Sequence, residues 1–318
     1  MTLARLATLV TLSMAAFLVS SCGLPATAGL RGPDGHEHPS VTRTRSAEPL
    51  DPKFFARRDI EARAPKAFSL MPEAQAGLRA IEADSTVARS RVLAAIRANP
   101  DLLGRIRIFP TLTWEQRLPV LRGVFDLECR TLEITPPELV ISTTEIKGPA
   151  YFDFDPARPG TGRVILNPEA IARDANPWTG LLLLIHETRH SAQFQLAFGE
   201  AAVGASAFDP EQPRRLRQEH YRAAFVAQKA ISKDLNFSDF CSLNHEYDAF
   251  RFGNFIVGAL MDWKVDTLDM GCFSSQFDAH GVPRIDLIKL GNLVGYGNLL
   301  DAFNELEREQ YRLLKGSN

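Results

Sequence analysis

The chain has 318 residues, is 45% hydrophobic and carries a formal net charge of -2. That is long and apolar enough to bury a substantial core, as one domain of two lobes or one domain with a tail. The near-neutral balance leaves no electrostatic footprint for nucleic acid, and Arg214-Arg215-Leu216-Arg217 reads as a solvated helix face.

The first residues read as a targeting segment. Arg5 precedes a short apolar run, Leu6 to Val19, which is too short for a stable membrane span. Val19-Ser20-Ser21-Cys22 then resembles the bacterial lipobox, in which the cysteine is lipidated and becomes the first mature residue. The resemblance implies a signal peptide over 1–21 and export. It also implies a lipid anchor on Cys22 that ties the protein to the membrane. Gly23 after the cysteine implies the outer membrane, on the periplasmic side, if the host is Gram-negative. Residues 22–65, rich in Gly, Pro, Ser, Thr and charge, read as a flexible tether that includes His36-Glu37-His38. Four cysteines occur. Export permits a disulfide, and Cys241 with Cys272 is the favoured pair because both flank one predicted helix.

Apolar spacing predicts a helix from Pro72 to Asn99, with Pro100 as its stop. Thr113-Trp114-Glu115-Gln116 is a capping box opening a helix to about Cys129, with Pro119 marking a bend or a later start. After Thr135 the period changes. Glu138–Ser142, Ala150–Phe154 and Arg163–Leu166 read as strands of a small sheet, ended by Asn167-Pro168 and a short helical turn. Ala150–Phe154 is a candidate edge for strand addition by an extended peptide. Beyond it lie a helix with Thr179 as N-cap, a helix capped by Asp209 and running to about Ile231, and a helix from Ser242 to about Trp263. A loop-rich stretch over 266–292 and an amphipathic helix over 298–314 complete the chain.

The chemistry lies in Leu181-Leu-Leu-Leu-Ile-His-Glu-Thr-Arg-His190. His186 and His190, four apart on a helix, reach one zinc ion from one face, and Glu187 lies beside the metal's open side. The apolar run before them buries the helix start. A third ligand must come from another element, since the sixth position after His190 is Leu196. Glu246 in Asn244-His-Glu-Tyr-Asp-Ala-Phe-Arg251 is the best placed, with small Ala249 one turn on to let two helices approach. Asp248, which faces away if Glu246 faces in, His220 and His245 are the rivals.

His186, Glu187, His190, Glu246 and Ala249 resemble the gluzincins, zinc metallopeptidases whose third ligand is a downstream glutamate, often in E-x-x-A-D. The likeness runs from about Leu112 to Phe255. It implies an α+β fold, a mainly helical zincin-like domain over 66–318. Helices and a small sheet over 66–176 would precede a metal-binding helical part over 177–318. It implies Zn2+ on His186, His190 and Glu246, with Glu187 as general base toward a peptide or protein substrate in the cell envelope. His220, Tyr221, His245 and Tyr296 are the candidate oxyanion donors. One position departs: Phe250 stands where the family has an aspartate that steadies a ligand histidine. The alternatives are a non-catalytic zincin-like lipoprotein that binds an envelope protein or the wall, and a helical lipoprotein carrying a chance motif.

Overall fold

A computed structural model describes residues 55–199, 212–265 and 276–316, with two short strands at 30–31 and 37–38. The fold is mainly helical α+β, 65% helix with one small three-stranded mixed sheet. The signal segment, Cys22, Asp209 and Cys272 lie outside the described residues, and so does the expected pairing of Cys241 with Cys272.

Two strands, β1 (Leu30–Arg31) and β2 (Glu37–His38), pair antiparallel inside the stretch expected to be an unstructured tether. The folded body also begins earlier than expected. Ala56 and Ile60 are buried, helix α1 spans Arg58–Glu61, and Asn304 bonds the backbone of Ala56 at both its N–H and its carbonyl. A 3-10 turn at Pro72–Ala74 leads into α2 (Gln75–Arg97). Pro100 ends that helix and at once begins α3 (Pro100–Arg107). There a fixed φ and a missing N–H suit a first turn, and the Asn99 side chain caps Leu102 N at 3.1 Å. The Thr113–Gln116 capping box forms in both directions and opens α4 (Trp114–Leu132), which runs unbroken through Pro119.

Strands β3 (Glu138–Ile141), β4 (Ala150–Asp153) and β5 (Arg163–Leu166) stand where their Val-, Ile- and Phe-rich runs place them, in the order β3-β5-β4. Strand β5 pairs parallel with β3 and antiparallel with β4, so β4 is an edge. Asn167 caps α5 (Pro168–Ala172). The helix of the His-Glu motif, α6 (Thr179–Phe198), begins without the expected Thr179 cap. Trp178 holds the cap position, and Thr179 is the first helical residue.

Helix α7 (Gln212–Ile231) is followed by α8 (Phe237–Ser242), a short helix started by an Asn236–Asp239 capping box. Then come α9 (Asn244–Leu260), α10 (Leu287–Val294), which begins within the stretch expected to be loop, and α11 (Leu299–Gly316).

Helix α6 is the axis of the molecule. It packs against α9, α7 and α4, with β4 and β5 against it. Leu181 to Ile185 are all buried, and the main core surrounds them. A second core joins Ala56, Ile60, Phe68, Leu70, Leu243 and Tyr247 to Leu299, Leu300 and Phe303. Between the two cores the start of α9 is pinned. Phe68 and Leu243 form an antiparallel bridge, Asn244 N reaches Ala67 O at 2.8 Å, and the Asn244 amide bonds Ser69 and Lys66 O. Glu246 is two residues beyond that anchor.

Candidate metal centre

Helix α6 is buried on every side from Thr179 to Ser191, so each polar residue there needs a partner inside the protein. His186, Glu187 and His190 are 3 to 4% exposed, and Glu246 on α9 is 3% exposed. The two helices meet closely. A Cβ placed on Gly253 would stand 3.1 Å from Leu182 O and 3.7 Å from His186 N. Ala249, the small residue singled out by sequence, is fully buried one turn before it.

The result is a triangle of three donor atoms. His186 Nε2 and His190 Nε2 are 2.9 Å apart, and Glu246 Oε2 lies 3.2 Å from the first and 3.3 Å from the second. Zinc held tetrahedrally at about 2.0–2.1 Å sets its ligand atoms about 3.3 Å apart. The three atoms therefore have the chemistry and the spacing of a metal-binding face. Glu187 offers an oxygen that lies within 4.8 Å of the ligand atoms of His186 and His190.

The other Glu246 oxygen is held separately. Gln228 Nε2 donates to Oε1 at 3.4 Å, and His245 Nε2 lies 3.4 Å from that oxygen and 3.0 Å from Gln228 Oε1. Burial would raise the Glu246 pKa, but the charge of His190 and hydrogen bonds from His186, His190 and His245 outweigh it and hold the carboxyl well below its usual range. Burial pushes Glu187 the other way, up to about 8, against opposing pulls from His190 and from the backbone N–H of Phe152. Burial and the neighbouring His190 lower His186. Burial lowers His245 to about 4.

A cleft opens onto the triangle. Its walls are Ala150, Tyr151 and Phe152 of β4, Phe154, Phe225 and Gln228 of α7, and Leu235 to Phe237 with Phe240. Tyr151, Phe237 and Phe240 are half-buried, so their rings form the part of the wall a ligand would cover. Among the described residues no lysine or arginine lines the cleft, though Lys229 Nζ lies 4.2 Å from the ring centroid of Phe154 on its wall.

The expected residues separate cleanly. His186, Glu187, His190, Glu246 and His245 come together at the cleft. Asp248 turns away from the triangle, as its place two residues after Glu246 requires, and accepts from Arg189 and Tyr221. Three of the four candidate oxyanion donors are elsewhere. The His220 ring fills the space left by Gly77, its nitrogens facing Leu216 O and Glu73 O. Tyr221 gives its hydroxyl to Asp248. Tyr296 donates to Asn292 beside α10. His245 lines the cleft, but its Nε2 is engaged with Gln228 and Glu246 and its Nδ1 is buried without a partner.

Tyr151, which sequence reasoning passed over, is the phenol that faces the cleft. Its signal was the alternation of β4, where Ala150 and Phe152 pack inward and Tyr151 does not. Phe250, standing where an aspartate was expected, packs edge-on against His186 with ring centroids 4.5 Å apart, and His186 Nδ1 has no hydrogen-bond partner.

A scan against protein-family models, a search of curated proteins and a search of solved structures each returned no match.

Proposed function

We propose that this protein is a zinc-dependent hydrolase, a gluzincin-like metallopeptidase, with His186, His190 and Glu246 holding the metal and Glu187 as the general base. The observation that carries the reading is the triangle of Nε2, Nε2 and Oε2 at 2.9 to 3.3 Å, set at the end of an open cleft beside Glu187. Zinc bound there would polarise a substrate carbonyl and bring the pKa of water towards neutrality. Glu187, buried and held by the Phe152 N–H, takes the proton of the attacking water and delivers it to the leaving amine. Tyr151 is the hydrogen-bonding group on the cleft wall with a proton to give the carbonyl oxygen, since the Nε2 of His245 is already engaged.

The aromatic wall favours a peptide with an apolar side chain beside the scissile bond. Strand β4, an edge of the sheet, supports pairing with an extended chain. Export and a lipid anchor on Cys22 belong to the same proposal and place the substrate in the cell envelope. Among the described residues no helix is long and apolar enough to cross a membrane.

Metal analysis together with peptide turnover tests the reading. The wild-type protein is expected to hold one zinc per chain, and Glu246→Gln to lose it. Glu187→Gln is expected to keep zinc and to cleave internally quenched peptides about 100- to 10,000-fold more slowly. Full zinc in Glu246→Gln refutes the ligand set. Zinc without turnover in the wild type establishes instead the non-catalytic reading, a lipoprotein that uses the site to bind an envelope partner.

A further inference from the structure

A metal-ligating histidine needs its far nitrogen held, and Phe250 stands where an aspartate was expected to do so. The structure supplies another device for His190. Three residues on along α6, Gln193 brings Oε1 to 2.7 Å from His190 Nδ1. The Gln193 Nε2 donates to His245 O at 3.0 Å and to Asp248 Oδ2 at 2.7 Å. A carbonyl and a carboxylate only accept, so the amide has one permitted orientation, nitrogen toward them and oxygen toward His190. An oxygen so placed requires a proton on His190 Nδ1. The nitrogen turned to Glu246 and His186 is then Nε2, the one left to act as a ligand.

Asp248 is itself fixed. Its Oδ2 also accepts from Arg189 Nε at 2.9 Å and from the Tyr221 hydroxyl at 2.7 Å. Gln193, Arg189, Tyr221 and Asp248 are each 1 to 4% exposed, so no water competes for these bonds. Arg189 stacks over Phe252 and reaches Asp84 at 3.6 Å, where Arg217 closes the chain at 2.5 Å.

We propose that Gln193 and Asp248 are positioning residues that work as a relay: Asp248 orients the Gln193 amide, and the amide holds the proton on His190 Nδ1 and so aims His190 Nε2 at Glu246. The proposal rests on the metal reading given above for its purpose, though its hydrogen-bond logic does not. It also accounts for the position of Asp248, two residues after Glu246. There it cannot be a ligand but stands behind α6 within reach of Gln193.

The test uses the purified soluble chain with 15N-labelled histidine, in three forms: wild type, Gln193→Met and Gln193→Glu. Gln193→Met leaves Asp248 with Arg189 and Tyr221, so it is the variant expected to fold. Zinc affinity is read by competition with a chromophoric chelator, and the His190 Nδ1 proton by its 15N-coupled resonance and its exchange with solvent.

Wild type is expected to show a slowly exchanging Nδ1 proton at neutral pH with or without zinc. Gln193→Met is expected to lose that protection and to bind zinc about 10- to 100-fold more weakly. Gln193→Glu sets a carboxylate against Asp248 and is expected to bind at least as weakly. Methionine keeps the length and volume of the glutamine side chain, so a merely space-filling role would leave both readouts of Gln193→Met at the wild-type value. Wild-type His190 without a proton on Nδ1 overturns the relay, as does zinc affinity in Gln193→Met within twofold of wild type. Failure of the wild type to bind zinc while Nδ1 remains protected overturns the metal reading and leaves the relay standing.

Discussion

Glu246 divides its two oxygens between two tasks, Oε2 to the histidines of α6 and Oε1 to Gln228 and His245. A buried carboxylate is tolerable on those terms because every lone pair has a use. Glu128 on α4 shows the opposite case. It is fully buried, neither oxygen has a hydrogen-bond partner, and burial raises its pKa well above the usual carboxylate range, with Arg189 pulling only partly against it. An acid whose folded pKa exceeds its unfolded value favours the fold below the unfolded value and loses that contribution as pH rises toward the folded value. Glu128→Gln is therefore expected to gain on the order of 1 kcal/mol at neutral pH. Its urea midpoint should fall less than that of the wild type between about pH 5 and about pH 7. An unchanged pH profile would show that Glu128 is not titrating in that window. At this scale the sequence exposed the chemistry but not its support. His186, Glu187 and His190 form a local pattern, and Glu246 sits in a recognisable one. Gln193 and Asp248 matter only through a contact across 55 positions, which no local spacing reports.

At the scale of elements, the site depends on how closely α9 can lie on α6. At Gly253 the two helices are in close contact, and the nearest atoms opposite a Cβ there, Leu182 O and His186 N, are backbone, which cannot rotate aside. Gly253→Val is expected to cost about 1–3 kcal/mol by forced separation. It should also weaken zinc binding, because His186 N is one of the atoms displaced. Chemical denaturation and zinc competition read the two effects separately.

The strands were legible because β-branched and aromatic runs bounded by Pro and Gly leave few alternatives. The capping box at Thr113 was legible for the same local reason. Helices α3 and α8 were missed although their signals were present: Asn99 before Pro100, and Asn236 three before Asp239. Proline was read as a stop when it was also a start. Of the two readings of Pro119 the later start fails, because α4 is already helical from Trp114.

For the whole molecule, the folded unit reaches back to Phe55. Ala56 exchanges two backbone bonds with Asn304, and Arg57 meets Asp239 through its backbone N–H at 2.7 Å and its guanidinium at 2.9 Å. Composition alone marked residues 55–65 as tether, because the partners that make them structural lie near the other end of the chain. A chain beginning at Lys66 is expected to expose the apolar face of α11 and to melt several degrees lower than one beginning before Phe55. Calorimetry on the two forms decides it, and equal melting temperatures would return those residues to the tether.

The same bonds carry a mechanical consequence. Asn236, which lines the cleft, gives its amide to Phe55 O at 2.8 Å, and Asp239 stands between Phe237 and Phe240 of the cleft wall. A pull on Phe55 is therefore shared between the rim of the cleft, through Asn236, and α11, through the bonds of Ala56 to Asn304.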